Sequence, residues 1–144
     1  MHQPSTILDH PLVSSRYFFP RYEALPQPYW VDAADGSRLA CSYHVVNPAA
    51  KTVIYFHGNG EVVADYLPSF PDWLGQVGYN VFLAEYRGYG MSTGQPALAG
   101  MLDDVSAIIY HAAAIHYTRS SPGVQPLFFP TVRGIPAALL GGCG

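Results

Sequence analysis

A chain of 144 residues is long enough for one domain with a sizeable buried core. Its apolar fraction is 49% and its charged fraction 12%, against about 25% charged in ordinary soluble domains, so it is rich in core and poor in charged surface. A formal charge of −3, with Lys51 the only lysine, excludes the basic cluster that nucleic-acid phosphates require.

Cys41 and Cys143 lie far apart and fit no metal-binding or redox spacing. They read as a small strand residue and a tail thiol, with no disulfide implied. The N-terminus lacks a basic segment followed by an apolar one, and no apolar run approaches the roughly 20 residues that span a bilayer. A cytoplasmic protein without a membrane segment is the expectation.

Residues 1–28 contain Pro4, Pro11, Pro20, Pro26 and Pro28 and read as an irregular arm. Its aromatics, Tyr17, Phe18, Phe19 and Tyr22, predict that it packs onto a core. The core is expected over residues 29–117. It opens with two apolar runs around Asp35-Gly36, the pattern of an antiparallel hairpin, which Asn47-Pro48 ends. Residues 52–56 form a continuous β-branched and aromatic run, the pattern of a strand buried on both faces.

Beyond the loop His57-Gly58-Asn59-Gly60, residues 61–77 are compatible with helix, divided by Pro68 and Pro71 and stopped at Gly78. Residues 80–84 are the next buried strand, ending at Glu85. A glycine-rich loop, Arg87-Gly88-Tyr89-Gly90-Met91-Ser92-Thr93-Gly94, leads to a helix starting near Pro96. Met101, Val105, Ile108, Ile109 and Ala112 make its apolar stripe. Asp103 and Asp104 lie in its early turns, where the helix dipole favours negative charge, and read as solvated. His111 and His116 are five apart and do not stack on one helix face as zinc ligands would.

Residues 118–144 read as a divergent tail. Arg119 to Gly123 is predicted to be a loop and Leu127-Phe128-Phe129 a third parallel strand cut short by Pro130. Hairpin, strand, helix, strand, helix is the opening of a mixed α/β sheet with right-handed parallel crossovers. In such sheets function gathers at the carboxyl ends of the strands, here His57-Gly58-Asn59-Gly60 and Glu85-Tyr86-Arg87-Gly88. Glycines there let the backbone turn sharply and present N–H groups to a ligand, the kind of donor a tetrahedral oxyanion needs.

Those two loops, at this separation and after matching strands, resemble the N-terminal half of an α/β-hydrolase-fold protein. The nearest branch is the serine hydrolases whose loops read His-Gly-Asn and Asp/Glu-Tyr-Arg-Gly-Tyr-Gly-x-Ser. The fold implied is three-layered, a β-hairpin followed by parallel β-α-β-α units, and incomplete. The resemblance implies that the backbone N–H of Asn59, assisted by Gly60, donates to an oxyanion. It implies that His57 and Gly58 shape that loop, and that Arg87 and Gly88 fix the next loop beside the pocket. Glu85 reads as a strand-end carboxylate bonding loop N–H groups, and Tyr86 as a pocket residue. His57 reads as a buttress, because the family's catalytic histidine comes late in the chain.

The chain departs from the family where the nucleophile belongs. A Gly-x-Ser-x-Gly turn is due soon after residue 125, but no serine follows Ser121, and Thr131 stands between Pro130 and Val132. Ser92 has no base within sequence-visible reach. A one-nucleotide shift across residues 131–136 can read Arg-Ser-Val-Gly-Ser, an elbow-like string, so a frameshifted or truncated end is the expectation for the tail. The expectation is an esterase- or amidase-like chain truncated before its nucleophile, with no catalytic residue, cofactor or metal ligand of its own. The alternative is a non-catalytic module. A crevice lined by Asn59, Tyr86 and Tyr89 would hold a small acyl or ester-type ligand, and an unpaired strand edge would allow self-association.

Overall fold

The computed structural model describes residues 7–120. Four strands, β1 (Tyr29–Asp32), β2 (Arg38–His44), β3 (Thr52–Phe56) and β4 (Asn80–Ala84), form one sheet in the order β1-β2-β4-β3. β1 and β2 are the expected hairpin, closed by Gly36 at φ +88°, and β2 pairs antiparallel with β4. β3 and β4 run parallel, Val53 opposite Val81 and Phe56 opposite Ala84. Two helices, α2 (Ser69–Gln76) and α3 (Leu98–Ser120), pack on the sheet, and a short helix α1 (Pro11–Tyr17) lies in the N-terminal arm with no buried residue.

β4 sets the layering. All five of its residues are buried, and they alternate between the two faces as a strand's period of two demands. Phe82 and Ala84 face a core with Val31, Leu39, Cys41 and the α3 residues Ile108 and Ala112. Val81 and Leu83 face the opposite core, with Leu25, Val63 and Leu74. The ring of Phe82 meets Tyr29 edge-on at 5.5 Å and Tyr43 at 5.7 Å, closing one face under the hairpin. The Cys41 thiol is sealed there, its pKa pushed up to about 12 by burial, which makes it a packing group.

Asn80 begins β4 and staples the preceding connection. Its Oδ1 accepts from the N–H groups of Val46 and Asn47, and its Nδ2 donates to the carbonyls of Asn47 and Ala50. A buried amide with all its capacity met stabilises a turn that Pro48 alone would leave loosely specified.

Several expectations need correction. β3 is half-buried along its length, because among the described residues only β4 bonds to it and its other edge has no strand. The arm is not irregular throughout: His10 caps α1 through its ring, accepting from the Leu12 N–H, and Pro11 occupies the first turn, where a missing N–H costs nothing. The segment after the first loop does divide at Pro68 as expected, into a 3-10 turn (Val63–Tyr66) and α2, with Pro71 in the first turn of α2 and Gly78 at φ +89° as the stop.

α3 begins at Leu98 and takes Arg119 and Ser120 into the helix, not into a loop. Its buried line is Met101, Asp104, Ile108 and Ala112, while Ile109 is 48% exposed. Asp104 is therefore not solvated; it is 1% exposed, whereas Asp103 is exposed. The window Leu98–Ile115 of this helix is also long and apolar enough to cross a membrane by length and composition, contrary to the sequence reading. In the structure that window lies along the sheet, with Ile108 and Ala112 in the core. The readings made for Leu127 to Phe129, Thr131 and Cys143 fall outside the described residues.

Replacing Phe82 by alanine should destabilise the fold by about 3–5 kcal/mol, because its ring fills a core between the hairpin strands and α3 that cannot fully collapse. Urea unfolding followed by circular dichroism gives that difference; a loss under about 1 kcal/mol would refute the central role given to β4.

Candidate functional site

β3 and β4 end side by side, so their next residues, His57 and Glu85, meet. The His57 Nε2 lies 2.5 Å from the Glu85 Oε1, with both side chains 1% exposed. The other ring nitrogen, Nδ1, faces the Gly58 carbonyl at 2.9 Å. A carbonyl only accepts, so Nδ1 carries a hydrogen and the ring's remaining exchange is with the carboxylate. Burial alone would lower the His57 pKa, but the hydrogen bonds to Glu85 and Gly58 outweigh it and hold it above the ordinary value. With both nitrogens engaged, the ring is a lock between strand ends, not a free base. Glu85 extends the lock: its Oε2 accepts from the Val63 N–H at 3.0 Å and its Oε1 from the Tyr86 N–H at 3.2 Å.

The first loop is held from below by Glu61. Its Oε2 accepts from the Gly58 N–H at 2.7 Å and from the Tyr66 hydroxyl at 2.6 Å, and the Tyr55 hydroxyl donates to Tyr66 in turn. The Tyr66 bond, then the Gly58 bond, lower the Glu61 pKa. Gly60 turns the chain at φ +85°. Among the described residues, no group accepts from the backbone N–H of Asn59 or of Gly60. These are the two donors that the motif singles out.

The second loop closes over the first. The Tyr86 hydroxyl donates to the His57 carbonyl at 3.0 Å, with its ring edge-on to the imidazole at 4.6 Å. Tyr89 is buried and its hydroxyl donates to the Asn59 Oδ1 at 2.7 Å. The turn at Gly90 admits no side chain, since a Cβ there would stand 2.6 Å from the Glu85 Oε2. Ser92 is committed to β2, its Oγ accepting from the Ala40 N–H, and Thr93 accepts likewise from Arg38.

Arg87 and Gly88 leave this cluster. The Arg87 guanidinium turns toward α3 and forms a bidentate pair with Asp104, at 2.6 and 2.7 Å, while Nη1 reaches Asp35 in the hairpin turn at 2.8 Å. It packs so closely on the helix that a Cβ at Gly100 would lie 2.5 Å from Nη1. The pairing with Asp104, foremost, raises the Arg87 pKa further above its ordinary value. Gly88, at φ +75°, packs against Pro96.

His57, Gly58, Asn59, Gly60, Glu85 and Tyr86 thus share one cluster at the carboxyl edge of the parallel strands. Sequence reading missed Glu61 as a support of this cluster, and Asp104 and Asp35 as the partners of Arg87. The signal for Asp104 was its position on the 101, 104, 108, 112 line of α3. Of the residues expected to line a crevice, Asn59 and Tyr89 bond each other and the arm, while the Tyr86 hydroxyl is bonded to the His57 carbonyl. A separate open groove of about 680 Å³, lined by Tyr43, His44, Pro71, Asp72 and Gly75 among others, lies at the opposite end of the sheet.

The sheet order, its antiparallel hairpin and the two strand-end loops are those of the N-terminal half of an α/β-hydrolase fold. The relatives agree. The chain is 35% identical over 99 residues to the uncharacterized protein YfhR of Escherichia coli (strain K12), covering 65% of this chain and 32% of that protein. It is 29% identical over 93 residues to the α/β-hydrolase domain-containing protein WAV2 of Arabidopsis thaliana, covering 63% of this chain and 30% of that one. An esterase from Exiguobacterium antarcticum superposes with a TM-score of 0.51 at 21% identity, over 60% of this chain and 32% of that one, a likeness of fold. No family model matches the chain. By sequence and fold together the chain is related to the α/β-hydrolase family, and it spans about a third of the length of the curated relatives it matches.

Two outcomes follow from this wiring. Asp104→Ala leaves the Arg87 charge buried without its main partner and should cost about 3–5 kcal/mol in urea unfolding, whereas Asp103→Ala should change stability by less than about 0.5 kcal/mol. Equal effects would contradict the assignment. For His57, the folded pKa lies above the unfolded value of about 6.5, so the folded state binds the extra proton. Its stabilisation is fully present below that value and is lost as pH rises through the folded pKa. Unfolding free energy measured from pH 6 to 9 should therefore fall with pH, and fall less steeply in Glu85→Gln; identical slopes would sink the coupling.

Proposed function

We propose that this chain carries the oxyanion side of an ester- or amide-cleaving serine-hydrolase site and, within its 144 residues, does not itself form an acyl-enzyme. The observation that carries the reading is the pair of backbone N–H groups at Asn59 and Gly60, without acceptors among the described residues, at the carboxyl end of a parallel strand. Donors fixed before the reaction need no reorganisation when negative charge develops on a carbonyl oxygen, which is why such pairs contribute to acyl transfer. His57, Gly58, Glu85, Tyr86, Arg87 and Gly88 hold the loops and take no part in proton transfer. The esterase among the structural neighbours supports a carboxylic ester as substrate class.

An acyl-enzyme also needs a serine activated by a base. Ser92 bonds the β2 backbone, and no serine follows Ser121 in the sequence. The purified chain treated with a fluorophosphonate serine probe should therefore remain unlabelled by intact-mass spectrometry. Stoichiometric labelling abolished by heat denaturation would overturn the reading.

A second reading, a binding module, is favoured by one observation: β3 has a single partner strand among the described residues. An open edge of a half-buried strand is a template for pairing with another chain. On this reading the chain self-associates through β3, or holds a small acyl ligand at the Asn59 loop without turning it over.

A further inference from the structure

The N-terminal arm reaches the first loop through one side chain. The Asn59 Nδ2 donates to the Tyr17 carbonyl at 2.5 Å, and the Asn59 Oδ1 accepts from the Phe19 N–H at 3.1 Å as well as from Tyr89. Beyond these, Arg21 pairs bidentately with Asp65 at 2.7 and 2.8 Å, and its Nη1 lies 3.4 Å from the Gly60 carbonyl. The Arg21 carbonyl accepts the Gly90 N–H at 2.9 Å. Residues 17–21 are thus bonded to both strand-end loops, at the loop whose Asn59 and Gly60 N–H groups have no acceptor among the described residues.

The chemistry asks for an amide at position 59. It must donate to a carbonyl while accepting from an N–H and a hydroxyl, which a carboxylate, having no donor, cannot do. A side chain so occupied is not a ligand group. The donors assigned to an incoming anion are main-chain groups, and their direction is set by the peptide that the Asn59 side chain anchors.

We propose that residues 17–21 are a strap that fixes the orientation of the Asn59–Gly60 peptide, with the Asn59 side chain as its clasp and Arg21 as its anchor. Both are positioning residues. Their functional meaning rests on the reading of Asn59 and Gly60 as anion donors, but the mechanical coupling does not.

The test is amide hydrogen exchange on the full chain, without ligand, comparing residues 58–61, read through the Gly58 and Glu61 N–H groups that are bonded within the loop, with the β4 residues 81–84. Asn59→Asp and Arg21→Ala should each accelerate exchange at 58–61 by about tenfold or more while β4 stays unchanged, since local opening and not global unfolding is affected. Arg21→Lys, which keeps a charge facing Asp65, should recover most of the protection, a rescue that a generic packing loss would not show. Unchanged exchange at 58–61 in Asn59→Asp, or an equal acceleration in β4 for both variants, would overturn the strap. Labelling by the fluorophosphonate probe would leave this result untouched, so the two readings fail separately.

Discussion

The buried contact between His57 and Glu85 joins the carboxyl ends of two parallel strands, and the loops that follow take their positions from it. Removing an imidazole and a carboxylate from water is costly, and their mutual attraction roughly offsets that cost only when the remaining polar atoms are also satisfied. Here they are: the second ring nitrogen faces Gly58, and both carboxylate oxygens receive loop N–H groups. The result is better described as geometry than as net stability. One carboxylate holds the start of the 3-10 turn and both strand ends in one frame, and the close turn at Gly90 follows because that carboxylate fills the space a side chain would need.

Around this lock the two loops divide their tasks. The first, from His57 to Gly60, has the Gly58 N–H tied down by Glu61, while no described group accepts from the next two N–H groups. The second is bonded to the first through Tyr86 and Tyr89 and tied elsewhere on either side of Tyr89: Ser92 and Thr93 bond the β2 backbone, and Arg87 bridges α3 and the hairpin turn. A motif that reads as one continuous glycine-rich signature is, in three dimensions, a tether at each end with Tyr89 as its inward point. The arm then rests on that point, its Phe19 N–H shared between the Tyr89 oxygen and the Asn59 amide.

Much of this was legible in sequence where the signal was local. The Asp35-Gly36 turn, the β-branched and aromatic runs and the Gly78 stop each follow from backbone preferences of the residues present, and the structure places them where those preferences do. What was not legible depends on contacts between distant residues. Asp104 was read from its place near a helix start, where a carboxylate is stable in water, yet an arginine seventeen residues earlier draws it into the core. The half-burial of β3 is a property of its neighbours, not of its own apolar run. The arm's docking through Asn59 has no periodic signature at all, because it is made by main-chain groups of residues 17 and 19, whose side chains do not encode it.

The fit of Arg87 against α3 reaches beyond charge. Its guanidinium fills the space where a β-carbon of residue 100 would stand, so the first turn of α3 must carry a glycine, the residue whose backbone freedom weakens a helix most apart from proline. Helix propensity at position 100 and ion pairing at position 87 are therefore one sequence choice. Alanine at 100, which would firm the helix, becomes admissible only in a chain whose side chain at 87 is shorter, and such a chain would leave Asp104 without its partner. The two positions are bound to change together or not at all.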